Sequence, residues 1–170
     1  LLPPGGPALC TVLDFPLGAS PEAVRQAGLS QALEDGADEV DLVLNRCWLR
    51  EDPSRLRRDL EALRRLCPHP RLLKVILETG ALSPEEIDRA VDLCRETGMD
   101  FAKTSTGLGG WAGADPAIVA RMVQRGQGSP LRVKASGGIA TREAVIAFLQ
   151  AGADRIGMSR TAALLDPPGV

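Results

Sequence analysis

Short apolar runs alternate with longer amphipathic stretches along the whole chain. Six runs, at 9–12, 39–44, 72–77, 101–104, 131–134 and 155–157, have the length and apolar content of buried strands. Their starts fall 24 to 33 residues apart. Between them, apolar positions recur at helical spacing. Leu56, Leu60, Leu63 and Leu66 line one side of a helix expected over 53–66, with arginines opposite. Further helices are expected over 21–34, 84–96, 116–124 and 142–150. Ser20 precedes the first of these as an N-cap with Pro21 at the first helical position, and Ser83 precedes the second. Strand and helix in strict alternation predict a parallel sheet.

A repeated junction strengthens the reading. Gly36-Ala37-Asp38, Gly98-Met99-Asp100 and Gly152-Ala153-Asp154 each end a helix and lead into a strand. The glycine supplies a left-handed C-cap. One junction used three times implies a repeating α/β architecture, either a barrel or a doubly wound sheet. Neither GxGxxG nor GxxxxGK[ST] follows the first strand, which favours the barrel. A (β/α)8 barrel has eight strands and about 250 residues. The chain supplies six strands in 170 residues, so the expectation is one partial TIM-barrel domain over 1–170, lacking two βα units.

Composition narrows the function. Net charge is −2, with acidic and basic residues interspersed, so no basic block offers a nucleic-acid surface. No apolar run approaches the ~20 residues of a membrane helix. Residues 1–7 lack the basic start of a signal peptide, and the expected location is the cytoplasm. The four cysteines form no CxxC pair, and the single histidine, His69, sits between two prolines. That excludes a zinc constellation and reads as reduced, mostly buried thiols.

Of 20 basic residues, 17 are Arg, and the only lysines are Lys74, Lys103 and Lys134. Where charge alone suffices, this chain uses Arg. Lysine can lose its proton and attack a carbonyl, which guanidinium cannot. All three lysines fall late in predicted strands, at the end where barrels carry their active sites. Lys103 and Lys134 on adjacent strands repel each other in a low dielectric, which frees an amine. Phosphate binding by these lysines is the competing explanation, and Lys74 reads equally as a site residue or an ion-pair partner. Asp41, an acid inside an apolar strand, needs cationic partners and suits a general acid/base. Asp38 and Glu39 read as loop or cap residues, and Glu78 as a site residue or structural support. Gly137-Gly138 and Gly157-Met158-Ser159 end the last strands in glycine-rich turns of the kind that bind anions. Trp48 and Trp111 read as packing residues, the latter within the glycine-rich loop 107–113.

Phe101-Ala102-Lys103-Thr104-Ser105-Thr106-Gly107 resembles the Schiff-base signature of the deoxyribose-phosphate aldolase family, and Val133-Lys134-Ala135-Ser136-Gly137-Gly138-Ile139 resembles the segment carrying its second lysine. Cys10-Thr11-Val12 with Phe15-Pro16-Leu17-Gly18, Glu39-Val40-Asp41 with Asn45, Leu73-Lys74-Val75-Ile76 with Glu78-Thr79, and Arg155-Ile156-Gly157 follow in order over nearly the whole chain. The resemblance implies a class I aldolase on a TIM barrel, cleaving 2-deoxy-D-ribose 5-phosphate to D-glyceraldehyde 3-phosphate and acetaldehyde without metal or cofactor. Lys103 is then the imine-forming nucleophile. Lys134 perturbs its pKa and assists proton transfer, and Asp41 is the general acid/base. Gly107, Gly137, Gly138, Ser159 and Lys74 are the candidate substrate- and phosphate-binding residues. The implied partner is a small phosphorylated sugar, and a homo-oligomer is compatible with the chain.

The chain departs from the family pattern at three places. Ser159-Arg160-Thr161 replaces the usual Ser-Ser-Gly, Asp14 stands where a small residue is usual, and Leu108 replaces a usual Phe. The match also starts at the family's third strand. The competing expectations are an inactive barrel fragment or partner subunit, and another phosphate-binding barrel of transaldolase-like or isomerase type. An open sheet would leave edges at 9–12 and 155–157, so residues 1–170 alone are expected to aggregate, self-associate or lack activity until two βα units are supplied.

Overall fold

The structure, a computed structural model, describes residues 5–159, 161 and 164. Six parallel strands form one curved sheet in the order β1 to β6: β1 (Cys10–Leu13), β2 (Glu39–Val43), β3 (Leu72–Ile76), β4 (Phe101–Lys103), β5 (Arg132–Ser136) and β6 (Arg155–Gly157). Helices α1 (Glu22–Glu34), α3 (Pro53–Leu66), α4 (Pro84–Glu96), α5 (Pro116–Gly126) and α6 (Arg142–Gln150) connect successive strands. This is an open half-barrel of βα units, as the alternating pattern predicts. β1 and β6 each have one strand neighbour among the described residues.

Strand alternation divides the sheet. Leu13, Val40, Leu42, Leu73, Val75, Ala102, Val133 and Ala135 point outward into a single apolar cluster with Leu29, Leu56, Leu60, Leu63, Ile87, Val91, Val119, Met122 and Phe148 of the helices. Burial of each such Leu or Ile contributes about 1.5–3 kcal/mol, which makes this layer the main source of cohesion. The inner face carries Glu39, Asp41, Lys74, Lys103 and Lys134 beside Val43, Ile76 and Phe101.

The repeated junction has a structural counterpart. Gly36, Gly98 and Gly152 take φ of 95°, 72° and 94°, and the residue after each donates its N–H to a carbonyl of the preceding helix. The aspartates then do identical work. Asp38, Asp100 and Asp154 each accept a backbone N–H from the neighbouring strand segment, at Leu9, Leu73 and Val133, all at 2.8 Å. Each carboxylate thereby locks the register of one strand against the strand before it.

Several local expectations are corrected. Ser20 does not cap α1. Pro21 occupies the N-cap position without a side-chain bond, and Ser20 instead bonds the Asp14 carboxylate through N and Oγ. Asp14, at φ 54°, also accepts from the buried Arg25 at 2.8 Å, so the unusual acid is held by its own partners. A short helix, α2 (Arg46–Glu51), and a 3-10 turn at Thr79–Ala81 follow β2 and β3. The expected cap at Ser83 forms, as a capping box with Glu86, and Thr141 caps α6 through its side chain. Trp48 packs partly buried beside Arg55, whereas Trp111 is 54% exposed and is not a core residue. Cys67 and Cys94 are buried, but Cys10 and Cys47 are exposed. No described helix is long and apolar enough to cross a membrane.

Candidate active site

The strand register assembles the inner-face charges. Asp41 pairs with Lys74 across β2 and β3, and Lys103 pairs with Lys134 across β4 and β5. Sheet curvature brings these two sets together. Asp41 Oδ2 accepts from both Lys103 Nζ and Lys134 Nζ at 2.8 Å, and Oδ1 accepts from Lys74 Nζ at 2.6 Å. One carboxylate therefore joins all three lysines of the chain.

Burial disfavours the charged form of each group, and its partners decide the outcome. Desolvation pushes the Asp41 carboxyl upward, yet the three lysines, Lys103 foremost, hold it far below the ordinary carboxylate range. Burial lowers Lys103. The Asp41 carboxylate opposes this and the Lys134 charge reinforces it, leaving the amine below the usual lysine value. Lys74 goes the other way: burial lowers it, but bonds from Asp41 and Glu39 raise it above the usual value. Of these two lysines, Lys103 is the one whose surroundings favour loss of the proton, while those of Lys74 hold it.

Lys74 is fully buried and its ammonium is taken by two carboxylates, each at 2.6 Å. It is an ion-pair residue, which corrects its placement among the phosphate-binding candidates. Glu39 is corrected too: it is no loop residue but a buried β2 side chain that bonds Lys74 at 2.6 Å and Arg155 at 2.5 Å. Glu78 supplies support. At φ 58° after β3, it accepts from Thr106 Oγ1 at 2.5 Å and tethers the loop that follows Lys103.

The residues after each lysine stitch the two strand ends together. Thr104 Oγ1 donates to Ser136 O at 2.7 Å and accepts from Ser136 N at 2.9 Å, while Ser136 Oγ donates to Ser105 O at 2.7 Å. Gly137 is required here. Its φ is 97°, and a Cβ would lie 2.9 Å from Ser105 Cβ. Gly107 and Gly138, at φ 82° and 76°, turn the same loops, and nothing lies within 4 Å of where a Gly138 side chain would begin. Gly157 is a residue that sequence reasoning underrated. A Cβ there would sit 3.1 Å from Lys134 Cε, so its absence gives Lys134 room to extend toward Asp41.

Gly107, Gly137-Gly138 and Ser159 all follow C-terminal strand ends, the same end of the parallel sheet; Ser159 is exposed there, as is Leu108. Arg160 lies outside the described residues. Among the described residues, no cluster of three or more His, Cys, Asp or Glu side chains is arranged to hold a metal ion.

The chain is similar to known aldolases over most of its length. A family profile described as DeoC/LacD family aldolase matches residues 17–162. The deoxyribose-phosphate aldolase of Kocuria rhizophila is 44% identical over 164 residues, covering 96% of this chain and 75% of its own. The structure of QR15, an aldolase, superimposes with TM-score 0.82 at 38% identity, over 88% of this chain and 67% of that one. A tetrameric deoxyribose phosphate aldolase from Aeropyrum pernix gives TM-score 0.81 at 34% identity, over 91% of this chain and 64% of its own.

Proposed function

The chain belongs to the DeoC/LacD aldolase family, and from that premise we propose that it is a class I aldolase. Its substrate is 2-deoxy-D-ribose 5-phosphate, cleaved reversibly to D-glyceraldehyde 3-phosphate and acetaldehyde. The observation that carries this reading is the Asp41 carboxylate bridging Lys103 and Lys134 at 2.8 Å each, with Lys103 below its usual pKa.

Neutral Lys103 Nζ attacks the substrate aldehyde carbon, and loss of water gives a protonated imine. The imine withdraws electrons as the C2–C3 bond breaks, the C3 hydroxyl loses its proton, and glyceraldehyde 3-phosphate departs. The remaining enamine accepts a proton at carbon, and water releases acetaldehyde and the free lysine. Asp41 is too weak a base to store protons. It serves as a relay between Lys134, water and the reacting carbon. Lys134 supplies like charge and a proton donor. The substrate phosphate is assigned to the backbone N–H groups of the Gly137-Gly138 turn, with Gly107 and Ser159 at the same end.

Residues 1–170 are read as one partial barrel domain acting in the cytoplasm on a phosphorylated sugar. Homo-oligomeric association is taken from the Aeropyrum pernix tetramer. Borohydride added with acetaldehyde is expected to leave an ethyl group on the peptide containing Lys103. Labelling of Lys134 alone would overturn the assignment of nucleophile. The open sheet favours a second reading, a fragment that becomes active only with further βα units: Val12 on the inner side of β1 is 49% exposed. In that case trapping fails in the chain alone and appears once two βα units are supplied.

A further inference from the structure

Behind Asp41 runs a second line of charge that the aldol chemistry does not use. Glu39 Oε2 accepts from Lys74 Nζ at 2.6 Å and from Arg155 Nη1 at 2.5 Å. Lys74 passes the contact on to Asp41 Oδ1 at 2.6 Å, and its Nζ also lies 3.4 Å from Cys10 Sγ. The chain of contacts is thus Arg155, Glu39, Lys74, Asp41, and then the lysine pair. It crosses the hollow of the half-barrel, because Glu39 is on β2 and Arg155 on β6, with β3, β4 and β5 between them. Arg155 is steadied in turn by the Phe101 ring, which its guanidinium overlies at 4.9 Å while that of Arg132 overlies it at 4.0 Å.

This arrangement has two consequences. Asp41 has two oxygens and three lysine partners. Fixing Lys74 on Oδ1 leaves Oδ2 to face Lys103 and Lys134. Lys74 would be a buried cation shared unevenly with Asp41 if Glu39 did not take part of its charge, and Asp41 would be drawn toward it. The second consequence is mechanical. Among the described residues β6 is an edge strand, and it carries Gly157, which makes room for Lys134, and the turn leading to Ser159. The Glu39–Arg155 pair holds that strand at a set distance from β2.

We propose that Glu39 and Arg155 are positioning residues, a strut across the barrel that fixes Lys74 and through it the orientation of the Asp41 carboxylate. The proposal rests on the aldolase reading above and adds two residues to it that touch no reacting atom.

The test separates imine formation from carbon protonation, in whichever form of the protein traps acetaldehyde. Borohydride trapping at Lys103 reads the first step. Exchange of the acetaldehyde methyl hydrogens with deuterium from D2O reads the second. Glu39→Gln and Arg155→Met are expected to trap Lys103 at close to the parent rate and to slow exchange between about tenfold and a hundredfold, the range a misplacement near 1 Å produces. Arg155→Lys keeps the charge and is expected to recover most of the exchange. Thermal melts identify any variant that fails to fold. If Glu39→Gln does fail, the Arg155 pair of variants decides alone. Unchanged exchange in Arg155→Met overturns the strut, as does loss of trapping, exchange and cooperative melting together with no recovery in Arg155→Lys. A parent that never traps at Lys103 overturns the aldolase reading itself and the strut with it.

Discussion

The two faces of the one sheet are built to opposite rules. On the outer face, Val40, Leu42, Leu73 and Val75 meet leucines from α3 and α4, and shape complementarity is what holds them. On the inner face, five residues of β2, β3, β4 and β5, namely Glu39, Asp41, Lys74, Lys103 and Lys134, alternate with outward apolar positions of their own strands. A charge is costly away from water unless a partner neutralises it, so each inner-face charge is specified by its neighbours and not by its own polarity. The outer face lets the chain fold. The inner face uses that rigidity to hold one amine below its normal pKa.

The largest effect expected from this contrast is on chemistry alone. Lys103→Arg preserves the positive charge against Asp41, so the ion pair persists and Tm is expected to stay near that of the parent. Borohydride trapping should vanish, because guanidinium forms no imine under these conditions. Trapping that survives the substitution would move the nucleophile to another lysine.

The complementary change belongs to the outer face. Leu60, fully buried on α3, contributes packing and nothing else. Leu60→Ala is expected to cost about 2–5 kcal/mol of stability, read from denaturant unfolding, through lost burial and the cavity left behind. The pH dependence of trapping should be unaltered in the protein that remains folded. A shifted profile would show that the two faces are not separable.

These expectations follow the line between what could and could not be read from the chain itself. Outer-face structure was legible because it is local. Leu56, Leu60 and Leu63 announce α3 by spacing alone, and Ser83 announces the start of α4. Lys103, Lys134 and Asp41 were legible by chemistry, as polar residues in apolar strands. The role of Glu39 is hidden from the sequence because its partners come from β3 and β6, and no periodicity reports how far a sheet curls. Lys74 stayed ambiguous for the same reason: its satisfaction by two carboxylates depends on strand register. Helix α2 has six residues with little apolar period, so it left no pattern to find. The role of Gly157 shows only when the Lys134 side chain is seen against it.

A smaller effect tests how the inner face divides its labour. Lys103 is met by Asp41 from β2, Lys134 from β5 and Cys10 from β1. Lys134→Leu removes a like charge and a competitor for Asp41 Oδ2. Both changes favour the ammonium form of Lys103, so its pKa should rise. Because trapping requires the neutral amine, the pH at which it becomes efficient should move upward by about one unit or more. An unchanged profile with full activity would show that Lys134 has another task.

The smallest effect is expected where neither rule applies, on the helix surface beyond the apolar layer. Arg121 of α5 makes two bonds of 2.7 Å to Asp88 of α4, and Arg125 repeats the pattern with Asp92. By distance these are as good as the ion pairs of the inner face. They differ in surroundings: both partners of the Arg121 pair are open to water, which screens the attraction and already solvates each charge in the unfolded chain. Arg121→Ala is therefore expected to leave Tm, the denaturant midpoint and trapping unchanged within error, at low and at high salt. Leu60→Ala and Arg121→Ala thus bracket the helical layer, one in its apolar interior and one on its charged exterior. A loss of stability from Arg121→Ala comparable with that from Leu60→Ala would mean that the helices are clamped by charge as much as by packing. The sheet would then have two charged layers, and burial rather than bond length would no longer explain what distinguishes the inner one.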